Sequence, residues 1–163
     1  MTKTPPSDPA VRPPAGARVA VVAARWNAEV AAGLVAGALA RLEAAGLGGD
    51  AVDVVRVPGS FELPLVADRL AATGRYAAVL CLGAIVRGET THDRHIAGAV
   101  AHGIEQAGLL TCDTEDQARA RSVVPAAGAP WDAAVFARNK GAESAAAAIE
   151  MMNVLSRLAA PAS

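Results

Sequence analysis

Val19-Ala20-Val21-Val22-Ala23-Ala24-Arg25-Trp26-Asn27 is a short, wholly apolar run that stops at a charged residue, an aromatic and an amide. Such a run is what a parallel strand buried on both faces requires, because neither face meets water. From Ala28 to about Gly46 the apolar residues Val30, Leu34, Val35, Ala38, Leu39 and Leu42 recur at helical spacing, and Gly46 supplies a C-cap. A strand followed at once by a helix is the opening of an α/β fold.

The alternation continues downstream. Residues 51–57 read as strand, 61–72 as helix, 77–82 as strand, 93–106 as helix and 109–112 as a short strand. A helix over about 114–122, an irregular stretch rich in proline and glycine, and an alanine-rich helix over 140–158 complete the chain. The expected architecture is a flavodoxin-like three-layer sandwich on a four-stranded parallel sheet. Residues 1–17 carry Pro5, Pro6, Pro9, Pro13 and Pro14 and read as a disordered tail, leaving residues 18–160 as a single domain.

Composition narrows the function. The chain has 163 residues, 53% of them hydrophobic and only 3% aromatic, which suits helices packed closely on a sheet. Fifteen basic residues against sixteen acidic ones, with no basic face, argue against nucleic acid. No segment is apolar for long enough to cross a bilayer, so no membrane partner is expected. Cys81 and Cys112 lie in apolar runs without metal-ligand spacing and read as buried free thiols of a reducing compartment, the cytoplasm.

In a doubly wound sheet the ligand sits beyond the carboxyl ends of the strands, so the residues just after each strand are informative. Here they are Trp26-Asn27, Pro58-Gly59-Ser60-Phe61-Glu62 and the stretch from Gly83 to His92. In that last loop, backbone N–H groups from Gly88 to Thr91 at a helix start would hold an anion, although Thr90 or Thr91 also reads as a simple N-cap. His92 in the first helical turn would be kept neutral by the helix dipole and fit to accept a proton; a purely structural histidine is the alternative. Glu62 would offer acceptors to a polyol beside an apolar wall, or merely complement a helix dipole, and Phe61 reads equally well as core.

Taken together these segments resemble the lumazine synthase family. The resemblance rests on Arg25-Trp26-Asn27, on Val57-Pro58-Gly59-Ser60-Phe61-Glu62-Leu63-Pro64, and on Gly83-Ala84-Ile85-Val86-Arg87-Gly88-Glu89-Thr90-Thr91-His92. It continues in Leu109-Leu110-Thr111-Cys112-Asp113-Thr114-Glu115-Asp116-Gln117-Ala118 and Asn139-Lys140-Gly141. The resemblance implies condensation of 5-amino-6-(D-ribitylamino)uracil with 3,4-dihydroxy-2-butanone 4-phosphate to 6,7-dimethyl-8-ribityllumazine, the penultimate step of riboflavin biosynthesis, without metal or organic cofactor.

By the same resemblance Trp26 would stack on the pyrimidine, where the family usually has phenylalanine. Asn27, Ile85 and Val86 would hold the edge of the ring, and Ser60, Phe61 and Glu62 would face the ribityl chain. His92 would be the catalytic base. Gly88, Glu89, Thr90 and Arg121 would bind phosphate, and Lys140 would be a further cation near the substrates. The resemblance also implies sites shared between subunits of a homopentamer, with a 60-subunit shell as the larger assembly and riboflavin synthase as a candidate partner. Other readings of the same residues are a catalytically impaired flavin- or pteridine-binding homologue, a scaffold subunit, or a flavodoxin-like nucleotide-binding domain.

Three features depart from the family pattern. Glu105-Gln106-Ala107-Gly108 passes almost directly into Leu109, so the preceding helix must end early, near Gly103, or the strand must be unusually short, given that such connections need about 2–6 residues. The missing part would include the apolar residue that closes over the neighbouring pyrimidine site. Asp93-Arg94-His95-Ile96 replaces the family's aromatic and acidic residues, and no physical reason for that change is evident. Residues 123–138 are longer than usual and lie where pentamers would meet, which favours a free pentamer over a shell.

Overall fold

The computed structural model describes residues 12–88, 92–103 and 108–159, with the side chains of residues 92, 94, 101–103 and 108–111 left out of that description. The elements in chain order are β1 (Val19–Ala24), α1 (Ala28–Ala44), β2 (Val52–Val57), α2 (Leu63–Ala72), β3 (Ala78–Val86), α3 (His92–Gly103), β4 (Gly108–Cys112), α4 (Glu115–Ala120), α5 (Ala133–Phe136) and α6 (Lys140–Ala159). The strands lie side by side in the order β2-β1-β3-β4, every neighbouring pair parallel. The α/β reading with a parallel sheet is therefore correct.

All six residues of β1 are completely buried, as its uninterrupted apolar run requires of a central strand. Alternate residues serve the two faces. Val19, Val21 and Ala23 point into a large core with Leu34, Ala38 and Leu42 of α1 and Ala145, Ile149 and Met152 of α6. Val22, with Val57 and Cys81, packs on Leu63 and the flank of α2 on the other face. Burial raises the Cys81 thiol pKa to about 12, so it behaves as a small apolar side chain.

Helix α1 ends as its glycine suggests. Gly46 adopts φ 94°, its N–H bonds to the Glu43 carbonyl, and the Leu47 N–H reaches back to Leu42. This pair of bonds satisfies the last carbonyls of the helix, and only a residue without a Cβ takes that conformation cheaply.

Four boundaries differ from the sequence reading. Strand β3 does not stop at Leu82 but runs on to Val86, because β4 lies beside it from Leu82 opposite Gly108 to Val86 opposite Cys112 and supplies partners for the extra residues. The loop that follows thus begins at Arg87. Helix α2 starts at Leu63 after a single 3-10 turn over Ser60–Glu62, with Pro64 in the first turn, where its missing N–H costs nothing. Helix α3 is described as far as Gly103, and β4 begins one residue earlier than expected, at Gly108, and has five residues. Helix α4 ends at Ala120, because Ser122 turns away to form an antiparallel bridge with Asn139.

That bridge closes the neck of an excursion over residues 123–138, within which α5 forms a short helix. Asp132 caps α5 through the Val135 N–H, and the Trp131 and Phe136 rings stack at 5.4 Å with the Arg41 guanidinium of α1 over Phe136. Asn139 is 1% exposed and bonds in three directions: Nδ2 donates to the Gly33 and Val123 carbonyls, and Oδ1 accepts the Ala142 N–H. At the other end of the chain, the Arg12 carbonyl accepts from Asn153 of α6 and its guanidinium donates to the Ala44 carbonyl. Among the described residues no helix is long and apolar enough to cross a membrane.

Helices α1 and α6 approach closely enough that side chains are excluded where they cross. A Cβ on Gly141 would sit 1.8 Å from the Leu34 carbonyl oxygen, and one on Gly37 would sit 2.1 Å from Asn139 Oδ1. Replacing Gly141 by alanine therefore forces the helices apart and is expected to lower the unfolding free energy by about 3 kcal/mol, read as a shift in the urea midpoint at constant slope. Asn139→Ala removes three hydrogen bonds, to the buried Gly33 carbonyl, the part-buried Val123 carbonyl and the Ala142 N–H, with an expected loss of about 2–4 kcal/mol in the same measurement.

Candidate active site

The carboxyl ends of β1, β2 and β3 meet the start of α3 around an open cavity of about 470 Å³. Beyond β1 the backbone stays pinned to the edge strand: the Arg25 N–H donates to the Val57 carbonyl at 2.9 Å and the Trp26 N–H to Pro58 at 3.3 Å. Asn27 then precedes α1 with φ 54° and ψ 53°, and its Nδ2 donates to the Ala84 carbonyl at 2.9 Å. The indole of Trp26 is left 73% exposed along one wall, and the Phe61 ring is 63% exposed nearby. Two aromatic faces open to solvent at a sheet's carboxyl edge are unusual for a folded chain and suit a flat ligand.

The second wall comes from the turn after β2. The Glu62 carboxylate accepts the Gly59 N–H at 2.8 Å, which closes the turn and holds one carboxylate oxygen in place. Ser60 is buried against β3, where a Cβ on Gly83 would lie 2.6 Å from its hydroxyl. The floor is the end of β3, Ala84 to Val86, followed by Gly88, while Asp93 and Ile96 of α3 complete the rim. His92 is the first residue of α3, although its side chain lies outside the described residues, as do Glu89 and Thr90.

A second cavity of about 410 Å³ adjoins the first, with Ile85 and Asp93 bordering both. It is polar, framed by Arg87, Asp113, Gln117 and Arg121, with Cys112 at its base. Arg121 is anchored by donation to the Gln117 carbonyl at 3.1 Å and lies 3.8 Å from Cys112 Sγ. Burial raises the Cys112 pKa, partly opposed by the Arg121 charge, so that sulfur remains a neutral thiol under the guanidinium. Among the described residues no cluster of His, Cys, Asp and Glu is arranged to hold a metal ion.

The structure thus divides the residues singled out from sequence. Trp26, Asn27, Ser60, Phe61, Glu62, Ile85, Val86 and Gly88 line the first cavity. Arg121 stands in the second, and Lys140 borders neither: its N–H bonds to the Arg121 carbonyl at 2.8 Å and its ammonium pairs with Glu143. Sequence reading missed Arg87, Asp93 and Ile96. The last two sit three residues apart on one face of α3, so helical periodicity counted from His92 is the signal that would have found them.

Comparison with known proteins covers most of the chain. A family model described as 6,7-dimethyl-8-ribityllumazine synthase matches residues 16–156. A protein of that name from Xylella fastidiosa (strain 9a5c) is 43% identical over 149 residues, covering 89% of this chain and 94% of its own. Those from Stenotrophomonas maltophilia (strain R551-3) and Xanthomonas oryzae pv. oryzae (strain PXO99A) are 41% and 39% identical over 158 residues, each covering 91% of this chain and 95% of its own. With the match running from before β1 into α6, the chain belongs to the 6,7-dimethyl-8-ribityllumazine synthase family.

Proposed function

We propose that this chain condenses 5-amino-6-(D-ribitylamino)uracil with 3,4-dihydroxy-2-butanone 4-phosphate, forming 6,7-dimethyl-8-ribityllumazine with release of phosphate and water in riboflavin biosynthesis. The observation that carries the reading is the joining of an aromatic-walled cavity to an arginine-bearing one, with Ile85 and Asp93 common to both, in a chain of this family. The first suits a flat pyrimidine with a polyol tail; the second suits a phosphate. A condensation needs the two partners held side by side, and that positioning supplies most of the rate.

In this reading the pyrimidine stacks on Trp26, with the backbone of Ile85 and Val86 along its edge. The Glu62 carboxylate accepts hydrogen bonds from the ribityl hydroxyls, and the Ser60 hydroxyl donates to or accepts from them, beside Phe61. Gly88, Glu89 and Thr90 take the phosphate, as the family resemblance implies, and the Arg121 guanidinium offers a fork that fits two phosphate oxygens. His92 opens α3 and is the base in this reading. It accepts a proton as the amine adds to the ketone and returns one as water and phosphate leave. Lys140 is a further cation near the substrates, its backbone bonded to that of Arg121.

The open geometry supports an assembly. Trp26, Phe61 and Leu65 are large apolar side chains exposed near one end of the sheet, as expected of a half-site covered by a second copy in a homopentamer. The layering of α1 and α6 on one face of the sheet and α2 on the other supports a flavodoxin-like sandwich. The two buried free thiols fit a cytoplasmic setting.

Mixing the protein with both substrates and following the lumazine chromophore above the uncatalysed background tests the reading directly. His92→Ala is expected to cut kcat by about 100-fold, and activity equal to wild type would remove the histidine from the mechanism. Arg121→Ala should raise the KM of the ketose phosphate by about 10- to 100-fold and leave that of the pyrimidine nearly unchanged. In contrast, Trp26→Phe should keep the pyrimidine KM within about threefold, because the stacking face survives.

A further inference from the structure

We propose that Asn27 is a positioning residue whose side-chain amide, by bonding β3 beyond the end of the β1–β3 ladder, fixes the angle at which Trp26 faces the pyrimidine. The proposal rests on the reading of Trp26 as the stacking wall and assigns the role of the residue beside it.

Among the described residues Asn27 is the one non-glycine residue with positive φ. Asparagine tolerates the left-handed region better than most side chains, but the backbone is not its whole contribution here. Strands β1 and β3 pair as far as Ala23 opposite Leu82, and β1 ends one residue later. Two residues further along β3, the Ala84 carbonyl is met by Asn27 Nδ2 instead of by another backbone N–H. The side chain thereby adds one rung to a ladder whose backbone partner has already turned away.

Trp26 is caught between two fixed neighbours. On one side Arg25 is bonded to β2 through Val57; on the other Asn27 is bonded to β3 through Ala84; and the amide of Trp26 itself reaches Pro58. An indole that is 73% exposed has few packing contacts to orient it, so its direction is set by the backbone that carries it. At the turn the edge of the ring lies beside Gly59, where an added Cβ would come to contact distance, 3.4 Å from Trp26 Cδ1. With its Nδ2 committed to Ala84, Asn27 acts on the pyrimidine through the ring of Trp26.

The test uses Asn27→Gly, which keeps the left-handed backbone and deletes the amide, and Asn27→Asp, which keeps the shape but sets a carboxylate against the Ala84 carbonyl. Each is expected to raise the pyrimidine KM by about five- to tenfold and to leave the KM of the ketose phosphate unchanged. On a Trp26→Ala background the same changes should matter by less than about twofold, because the ring through which Asn27 acts is gone. An equal factor on both backgrounds would mean that Asn27 contacts the substrate directly and would overturn the proposal. No change in either protein would overturn it as well.

A readout independent of turnover separates this proposal from the reading it rests on. The chain holds two tryptophans, so Trp131→Phe leaves Trp26 as the only indole emitter. In that protein Asn27→Gly should lower the emission anisotropy of Trp26 in the absence of any substrate, and an unchanged anisotropy counts against the tether. If the anisotropy falls but the wild-type protein forms no lumazine above background, the tether stands and the assigned reaction fails.

Discussion

The buried amide of Asn139 is the contact on which the rest of the molecule depends. It joins three pieces of chain that are far apart in sequence: the middle of α1, the segment leaving α4 and the first turn of α6. A hydrogen-bonding group with almost no exposure is costly unless all its partners are supplied, and here all three come from backbone. Apolar packing alone would let α6 slide along α1. The amide defines one register, and Gly37 facing it, with Gly141 against the Leu34 backbone, gives the helices the separation at which those bonds form.

The consequence reaches the site. Because Asn139 fixes the start of α6, it also fixes Lys140, whose backbone is bonded to Arg121. The arginine-bearing cavity is framed by the ends of β3 and β4 with α3 and α4, and the aromatic one by the ends of β1, β2 and β3. The extended β3 lies between them and contributes Ile85 to both cavities. Two reacting partners can be brought together reproducibly only if their separate holders share a rigid element, and a strand paired along its length, first with β1 and then with β4, is such an element.

Much of this was legible in the sequence, for reasons that can be stated residue by residue. The apolar run of β1 could be nothing but a two-faced strand, Gly46 could be nothing but a helix stop, and the polar residues after β1 and β2 had to lie at the carboxyl edge. The continuation of β3 through Gly83 to Val86 was missed because the signal is tertiary: those residues are strand only because β4 lies beside them. The short helix α5 was hidden for a similar reason, since Trp131 and Phe136 are ordered by each other and by Arg41 from a distant helix. Periodicity is a local quantity and carries no trace of either partner. Asp93 and Ile96 were legible in principle but were overshadowed by His92 immediately before them.

The neck formed by Ser122 and Asn139 has a meaning for how this chain tolerates change. Its two ends are bridged to each other, so the path from Arg121 to Lys140 is complete without the loop that leaves and returns between them. Length and composition in that loop are thus decoupled from the separation of the two cations, much as a handle can be exchanged without moving the hinge beneath it. Evolutionary drift, or a peptide grafted at the exposed turn around Gly128, would alter what the protein presents to its surroundings while the chemistry stays where it is.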